Sequence, residues 1–128
     1  MDNCIYYENL ENGKKGNVQM YIDNCAVSTL RYVHRPDSHS IHITFLYTNQ
    51  ASRKRGYATS VLNSFIKKFG EYFDITLECC PVELRSNDVS YKEKQEILAK
   101  FYEKFGFETT SRQTYARGYH WEMTRFKK

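Results

Sequence analysis

The stretch Arg53-Lys54-Arg55-Gly56-Tyr57-Ala58 has a composition and placement that suit one definite chemistry, the binding of a phosphate. The apolar run Ile41 to Tyr47 predicts a strand before it, and helical periodicity begins after it. The basic triplet would then stand at a helix N-terminus, where free N–H groups and the helix dipole both favour an anion. Gly56 brings no Cβ that would hold a phosphate away. The stretch is not a Walker loop, which needs Gly-Lys-Ser/Thr, nor a dinucleotide fingerprint, which needs three glycines. Taken alone, Arg-Lys-Arg before a helix is more often a solvated basic turn. Cys4, Cys25, Cys79 and Cys80 form no C-x-x-C pair and no spaced Cys/His set, so reduced structural thiols are expected, with neither a metal site nor a redox dithiol.

The elements that would position this loop follow from hydrophobic period. Asn17 to Ile22 and Ala26 to Val33 flank Asp23-Asn24 and predict a tight β-hairpin, preceded by a short strand at Cys4 to Tyr7 and a turn at Glu11-Asn12-Gly13. A polar loop is expected from His34 to Ser38, then the strand Ile41 to Tyr47 with His42, Thr44 and Leu46 on one face. From Gly56 the period becomes helical through Ala58, Val61, Leu62, Phe65, Ile66 and Phe69, stopping at Gly70. Asp74 to Cys79 is a further strand ended by Pro81, so Ile41 to Cys79 has the length of a parallel right-handed crossover. Ser90 with Glu93 predicts the capping box of a second helix, whose stripe is Ile97, Leu98, Phe101, Tyr102 and Phe105 before Gly106. Phe107 to Thr110 and Tyr119 to Phe126 predict a closing antiparallel pair.

A chain of 128 residues with 41% hydrophobic content suits one packed core, so a single domain over residues 1–128 is expected. No run approaches the roughly 18 apolar residues of a membrane span, and Met1-Asp2-Asn3-Cys4 has neither a basic n-region nor a small-residue cleavage site. A soluble, cytoplasmic protein is expected. The net charge of +4 is modest and concentrates at residues 53–55 and in the tail from Arg112 to Lys128. That tail interleaves Arg112, Tyr115, Arg117, Tyr119, Trp121, Arg125 and Phe126, an alternation that ordinary antiparallel strands also show, so nucleic acid is not the expected partner.

Two motifs carry a family resemblance. Ile41 to Leu62, with Arg53-x-x-Gly56-x-Ala58, resembles motif A of the GCN5-related N-acetyltransferase (GNAT) superfamily. Phe101-Tyr102-Glu103-Lys104-Phe105-Gly106-Phe107 resembles its motif B, an aromatic helix ending Tyr-x-x-x-Gly-Phe. The resemblance covers roughly residues 17–126. Ala58 replaces a frequent Gly, and Gln95 and Leu98 replace a frequent Asn and Ala. The family also usually places one or two helices between its first two strands, for which this chain has almost no room. The implied fold is α+β with an α/β-type core: a mixed, mostly antiparallel sheet of six or seven strands, a central parallel strand-helix-strand unit and two main helices.

The resemblance also implies an activity, transfer of an acetyl group from acetyl-CoA to a primary amine of a protein or small molecule, by direct attack in a ternary complex. Coenzyme A would lie along Phe45, Leu46, Tyr47 and Thr48, where the strand bulges and splays from Ile75 to Cys79, and its pyrophosphate against Arg53, Lys54, Arg55, Gly56, Tyr57, Ala58 and Thr59. An amide near Leu46 or Tyr47 would polarise the thioester. Tyr102 matches the tyrosine that protonates the coenzyme A sulfur in many relatives, beside a purely structural place on its apolar stripe. His42 stands fourteen residues before Gly56, the offset of a strand glutamate that acts as base in histone-type relatives; Glu78 is the second candidate, and His120 and Glu122 are weaker ones. A covalent route through Cys79 or Cys80 is disfavoured, because the family transfers directly and no activating group is placed beside them. Acceptor recognition would come from the Val82 to Ser90 loop, the C-terminal hairpin or a second subunit in a homodimer. The alternative is a coenzyme A-binding regulatory module without catalysis.

Overall fold

The structure is a computed structural model that describes residues 3–10, 14–48, 56–79, 91–115 and 118–127, with backbone alone at 3, 91–94, 112–115 and 118–120. The elements are β1 (Asn3–Leu10), β2 (Lys15–Ile22), β3 (Cys25–Arg35), β4 (Ser40–Thr48), α1 (Tyr57–Phe69), β5 (Asp74–Cys79), α2 (Tyr91–Glu103), β6 (Glu108–Tyr115) and β7 (Gly118–Arg125). They make one seven-stranded sheet in the order β1-β2-β3-β4-β5-β7-β6. Among the described strands only β4 and β5 are parallel, joined through α1.

The β2–β3 turn is made by Asp23 and Asn24 with φ of 50° and 67°. Both are residue types that tolerate the left-handed region a two-residue hairpin needs. Strands outrun their apolar patterns. The β1–β2 ladder continues to Leu10↔Lys15, β3 reaches Arg35, and β6 runs on to Tyr115↔Gly118. Backbone pairing extends a strand wherever a partner is in register, whatever the side chains. The expected loop at 34–38 is therefore divided between the end of β3 and a 3-10 turn at Pro36–Ser38.

Buried side chains line one face of the sheet: Val18, Leu30, Tyr32, Ile41, Ile43, Ile75, Leu77, Cys79, Trp121 and Met123. Both helices cover that face, α1 against β2, β3 and β4, and α2 against β5 and β7. The α1 contribution is Val61, Leu62 and Phe65, the positions its periodicity predicts. In α2 the structure corrects the expected stripe, because Ile97 is 67% exposed while Gln95, Ala99 and Tyr102 face the sheet. An apolar residue can sit on the solvent face at small cost, so hydrophobicity alone does not phase a helix. Arg125 fastens the C-terminal ends of both helix segments, donating from Nε to the Phe105 carbonyl and from Nη1 to the Gly70 carbonyl.

Tyr32 is the pivot of the β3–α1 contact, with Phe65 and Phe69 centroids 5.1 and 5.4 Å away. Its ring passes directly over Gly16 on β2, its register partner. A Cβ at residue 16 would overlap the phenol ring, which is 2% exposed and cannot swing away. Gly16→Ala should therefore destabilise the protein by about 1–3 kcal/mol, the usual cost of overpacking, measured by urea unfolding. A neutral effect would show that Tyr32 does not lie over the strand.

Candidate active site

Two features of β4 set the site's geometry. The β4–β5 ladder pairs only Ser40 to Ile43 with Asp74 to Leu77. Against β3, meanwhile, the register passes from Arg31↔Phe45 to Tyr32↔Ile43, leaving Thr44 as an extra residue, a β-bulge. Thr44 Oγ1 donates to the Arg31 carbonyl, and Ser28 Oγ donates to the Tyr47 carbonyl, holding the outer half of β4 on β3. β4 thus stays with β3 through Thr48 while β5 stays with β7, and the two parallel strands part after Ile43.

The bulge corrects the expected face assignment. Strand faces alternate strictly, so one inserted residue turns every later side chain over. Leu46 consequently packs against the core with Ile41 and Ile43, while Phe45 and Tyr47 come out on the face that carries His42. Their rings stack at 5.8 Å with 17° between planes, and the Arg31 guanidinium lies 5.2 Å from the Phe45 centroid. Among the described residues no helix covers this second face.

His42 is half-buried there, and its Nδ1 is 2.7 Å from Thr76 Oγ1 on β5. Burial holds its pKa below the ordinary histidine value, Arg35 pushes in the same direction, and Glu78 and Glu122 oppose both. Glu78 and Glu122 are directly opposite across the β5–β7 pair and both exposed. The His120 side chain lies outside the described residues.

Tyr102 lies on the other side of the sheet, under the helices, 8% exposed and edge-to-face with Phe101 and Phe107. Burial, with a smaller contribution from Cys79, raises its pKa well above that of a free phenol, so it stays protonated at every working pH. Gln95, two helical turns earlier, donates from Nε2 to the carbonyl of Cys79 and ties α2 to the end of β5. Its Oε1 is buried without a partner among the described residues.

The start of α1 carries Gly56 at φ 79°, a conformation costly for other residues. Among the described residues no side chain caps this turn and no acidic residue occupies it. Among the described residues nothing lies within 4 Å of where a Gly56 Cβ would be, and the first intrahelical bond there runs from Ser60 N to the Gly56 carbonyl. The N–H groups of Tyr57, Ala58 and Thr59 therefore have no helical carbonyl of their own, which suits an anion. Arg53, Lys54 and Arg55 lie outside the described residues, as do Cys80, the Val82 to Ser90 loop and the Ser90 cap. Among the described residues no three His, Cys, Asp or Glu side chains could hold a metal ion.

The model of the acetyltransferase (GNAT) family matches residues 2–107. The chain belongs to the GNAT acetyltransferase family. No curated protein matches the sequence. Several solved structures share its fold. A ribosomal-protein alanine N-acetyltransferase from Escherichia coli has a TM-score of 0.69 at 12% identity, covering 89% of this chain and 70% of that one. An aminoglycoside 6'-N-acetyltransferase complexed with coenzyme A has 0.67 at 16%, covering 88% and 73%. ElaA from Escherichia coli has 0.65 at 15%, covering 87% and 68%. At these identities the likeness is one of fold, and the mixed seven-stranded sheet with its parallel β4–α1–β5 unit is the GNAT fold.

Two features of the site are set by strand pairing rather than by neighbours in the chain. Thr76 meets His42 only through the β4–β5 register, and the Phe45–Tyr47 pair reaches the open face only through the bulge. Neither has a signal in the linear pattern.

Proposed function

We propose that this GNAT protein is an N-acetyltransferase that moves an acetyl group from acetyl-CoA to an amine in a ternary complex. The observation that carries the reading is that His42 and Tyr102 lie on opposite faces of the sheet, His42 within the last paired stretch of β4 and β5 and Tyr102 near Cys79 at the end of β5. Bound acetyl-CoA supplies an activated thioester, and its residues of contact would be those identified from the family motifs. Gly56, the first N–H groups of α1 and the side chains of Arg53, Lys54 and Arg55 hold the pyrophosphate. The outer half of β4, Phe45 to Thr48, lies along the pantetheine arm, with a backbone N–H at Leu46 or Tyr47 directed to the thioester oxygen. His42 Nε2 takes the proton from the attacking amine. The Tyr102 hydroxyl donates to the departing sulfur.

The acceptor would approach over the second face of the sheet. Only residues 11–14 connect β1 to β2, where the family usually places helices, so the amine would meet His42 directly, beside Phe45 and Tyr47. Among the described residues no helix is long and apolar enough to cross a membrane.

The first test is thermal unfolding with acetyl-CoA or coenzyme A, against ATP and NAD. A ligand at a hundred times its Kd stabilises by about 2.7 kcal/mol, roughly a 10 °C rise for a chain of this size. A rise with the coenzyme A species alone supports the reading, and no rise at millimolar ligand rejects it. Tyr102→Phe should lower kcat about tenfold or more, the worth of one hydrogen bond to a developing charge, while leaving Tm and the acetyl-CoA shift intact. A parallel fall in Tm would mean that the hydroxyl serves packing instead.

A further inference from the structure

A histidine can accept a proton only at a nitrogen whose lone pair is free, so the value of His42 as a base depends on which nitrogen already carries hydrogen. The parallel register places Thr76 beside His42 on the same face, and Thr76 Oγ1 sits 2.7 Å from Nδ1. Both residues belong to the short paired stretch of β4 and β5, just before the strands part, where the ladder fixes their backbones. Thr76 is β-branched, so its hydroxyl is confined to few positions.

We propose that Thr76 is the positioning residue for His42: its hydroxyl accepts the Nδ1–H and holds the imidazole in the tautomer whose Nε2 lone pair faces the acceptor. This rests on the base role given to His42 above. In that tautomer the proton leaving the amine enters the Nε2 lone pair, and the resulting imidazolium keeps its Nδ1–H on Thr76. A threonine performs this service without a charge. A carboxylate at the same place would stabilise the imidazolium strongly and raise the pH at which the base becomes available, whereas a neutral hydroxyl does so only slightly and leaves the larger influence to the surrounding charges. Those charges are Arg35 from β3, Glu78 from β5 and Glu122 from β7. Thr76 thus orients the ring while leaving it neutral at physiological pH.

The experiment compares Thr76→Val, which keeps the shape and removes the hydroxyl, with Thr76→Ser, which keeps the hydroxyl. Imidazole nitrogen shifts in 15N-labelled protein report the tautomer directly. The parent and Thr76→Ser should hold hydrogen on Nδ1 of His42, and Thr76→Val should distribute it over both nitrogens. In parallel, kcat/KM for Thr76→Val should fall about tenfold, the worth of one neutral hydrogen bond. Its acid limb should move to lower pH, because the imidazolium has lost an acceptor, and Thr76→Ser should restore both. An unchanged tautomer and unchanged acid limb in a folded Thr76→Val protein would overturn the proposal. His42→Gln separates the two layers: if it keeps the parent's activity and acid limb, His42 is not the base, and Thr76's effect on catalysis falls with it. The tautomer measurement still decides the Thr76 contact by itself.

Discussion

His42→Gln is expected to lower kcat/KM at pH 7 about a hundredfold, the lower end of what a positioned base contributes, and to erase the acid limb of the pH profile. The sign follows from the environment. Burial and Arg35 hold the His42 pKa below the ordinary value near 6.5. The imidazole is therefore neutral and able to accept a proton at pH 7, and activity is lost as pH falls through that lowered pKa. The same displacement weakens folding on the acid side. The native state resists a proton that the unfolded chain accepts below about 6.5, so stability supplied by the neutral ring disappears as pH falls through the native value. Glutamine keeps the polarity of the site and cannot titrate, so a profile that remains pH-dependent between 5 and 7 would assign the acid limb to another group. Acceptors should also rank by acidity. A proton passing to so weak a base climbs less from an α-ammonium, near pKa 8, than from a lysine ammonium, near 10.4. Peptide N-termini should accordingly outperform lysine side chains at neutral pH, as measured by competition between the two on one peptide.

Phe65→Ala carries the largest expected cost to stability, about 3–5 kcal/mol. Phe65 is 0% exposed at the centre of the α1–sheet contact, with Tyr32 and Phe69 centroids both 5.1 Å away. Truncation removes the edge and face contacts of both neighbours together with the ring's own buried area. Neighbouring aromatics are held by further partners, His34 against Phe69 at 5.9 Å and Phe73 against Phe69 at 6.3 Å, so the void cannot easily collapse. Against a total stability of about 5–15 kcal/mol the loss is a large fraction, and it corresponds to a fall in Tm of roughly 10–20 °C. Urea unfolding gives the energy directly. A cost under about 1 kcal/mol would mean that α1 does not dock on Tyr32. Because α1 presents Gly56 and the first-turn N–H groups, acetyl-CoA should recover part of the lost stability, which links the core to the proposed phosphate site.

Much of the fold was open to reading in one dimension. The change of period at Gly56, from alternation to every third and fourth residue, marks β4, α1 and β5, because a helix burying one face against a sheet must repeat that way. Asp23-Asn24 marks the hairpin, because few residues accept its positive φ values. The two motifs point to the GNAT family, because a phosphate-binding turn and an aromatic helix end constrain neighbours in the chain. What tertiary structure alone decided lies across strands. Thr44 is an ordinary strand residue by type, and only pairing with β3 makes it the bulge that turns Leu46 toward the core and brings out Phe45 and Tyr47. Thr76 looks like any β-branched strand position, and only the parallel register sets its hydroxyl against His42. Ile97 has the hydrophobicity of a core residue, yet the docking of α2 through Gln95, Ala99 and Tyr102 leaves it in water. Local backbone preference is written in neighbouring residues, whereas register, bulges and helix rotation are set by partners dozens of residues away, with face alternation turning a one-residue difference into a reversal of the site.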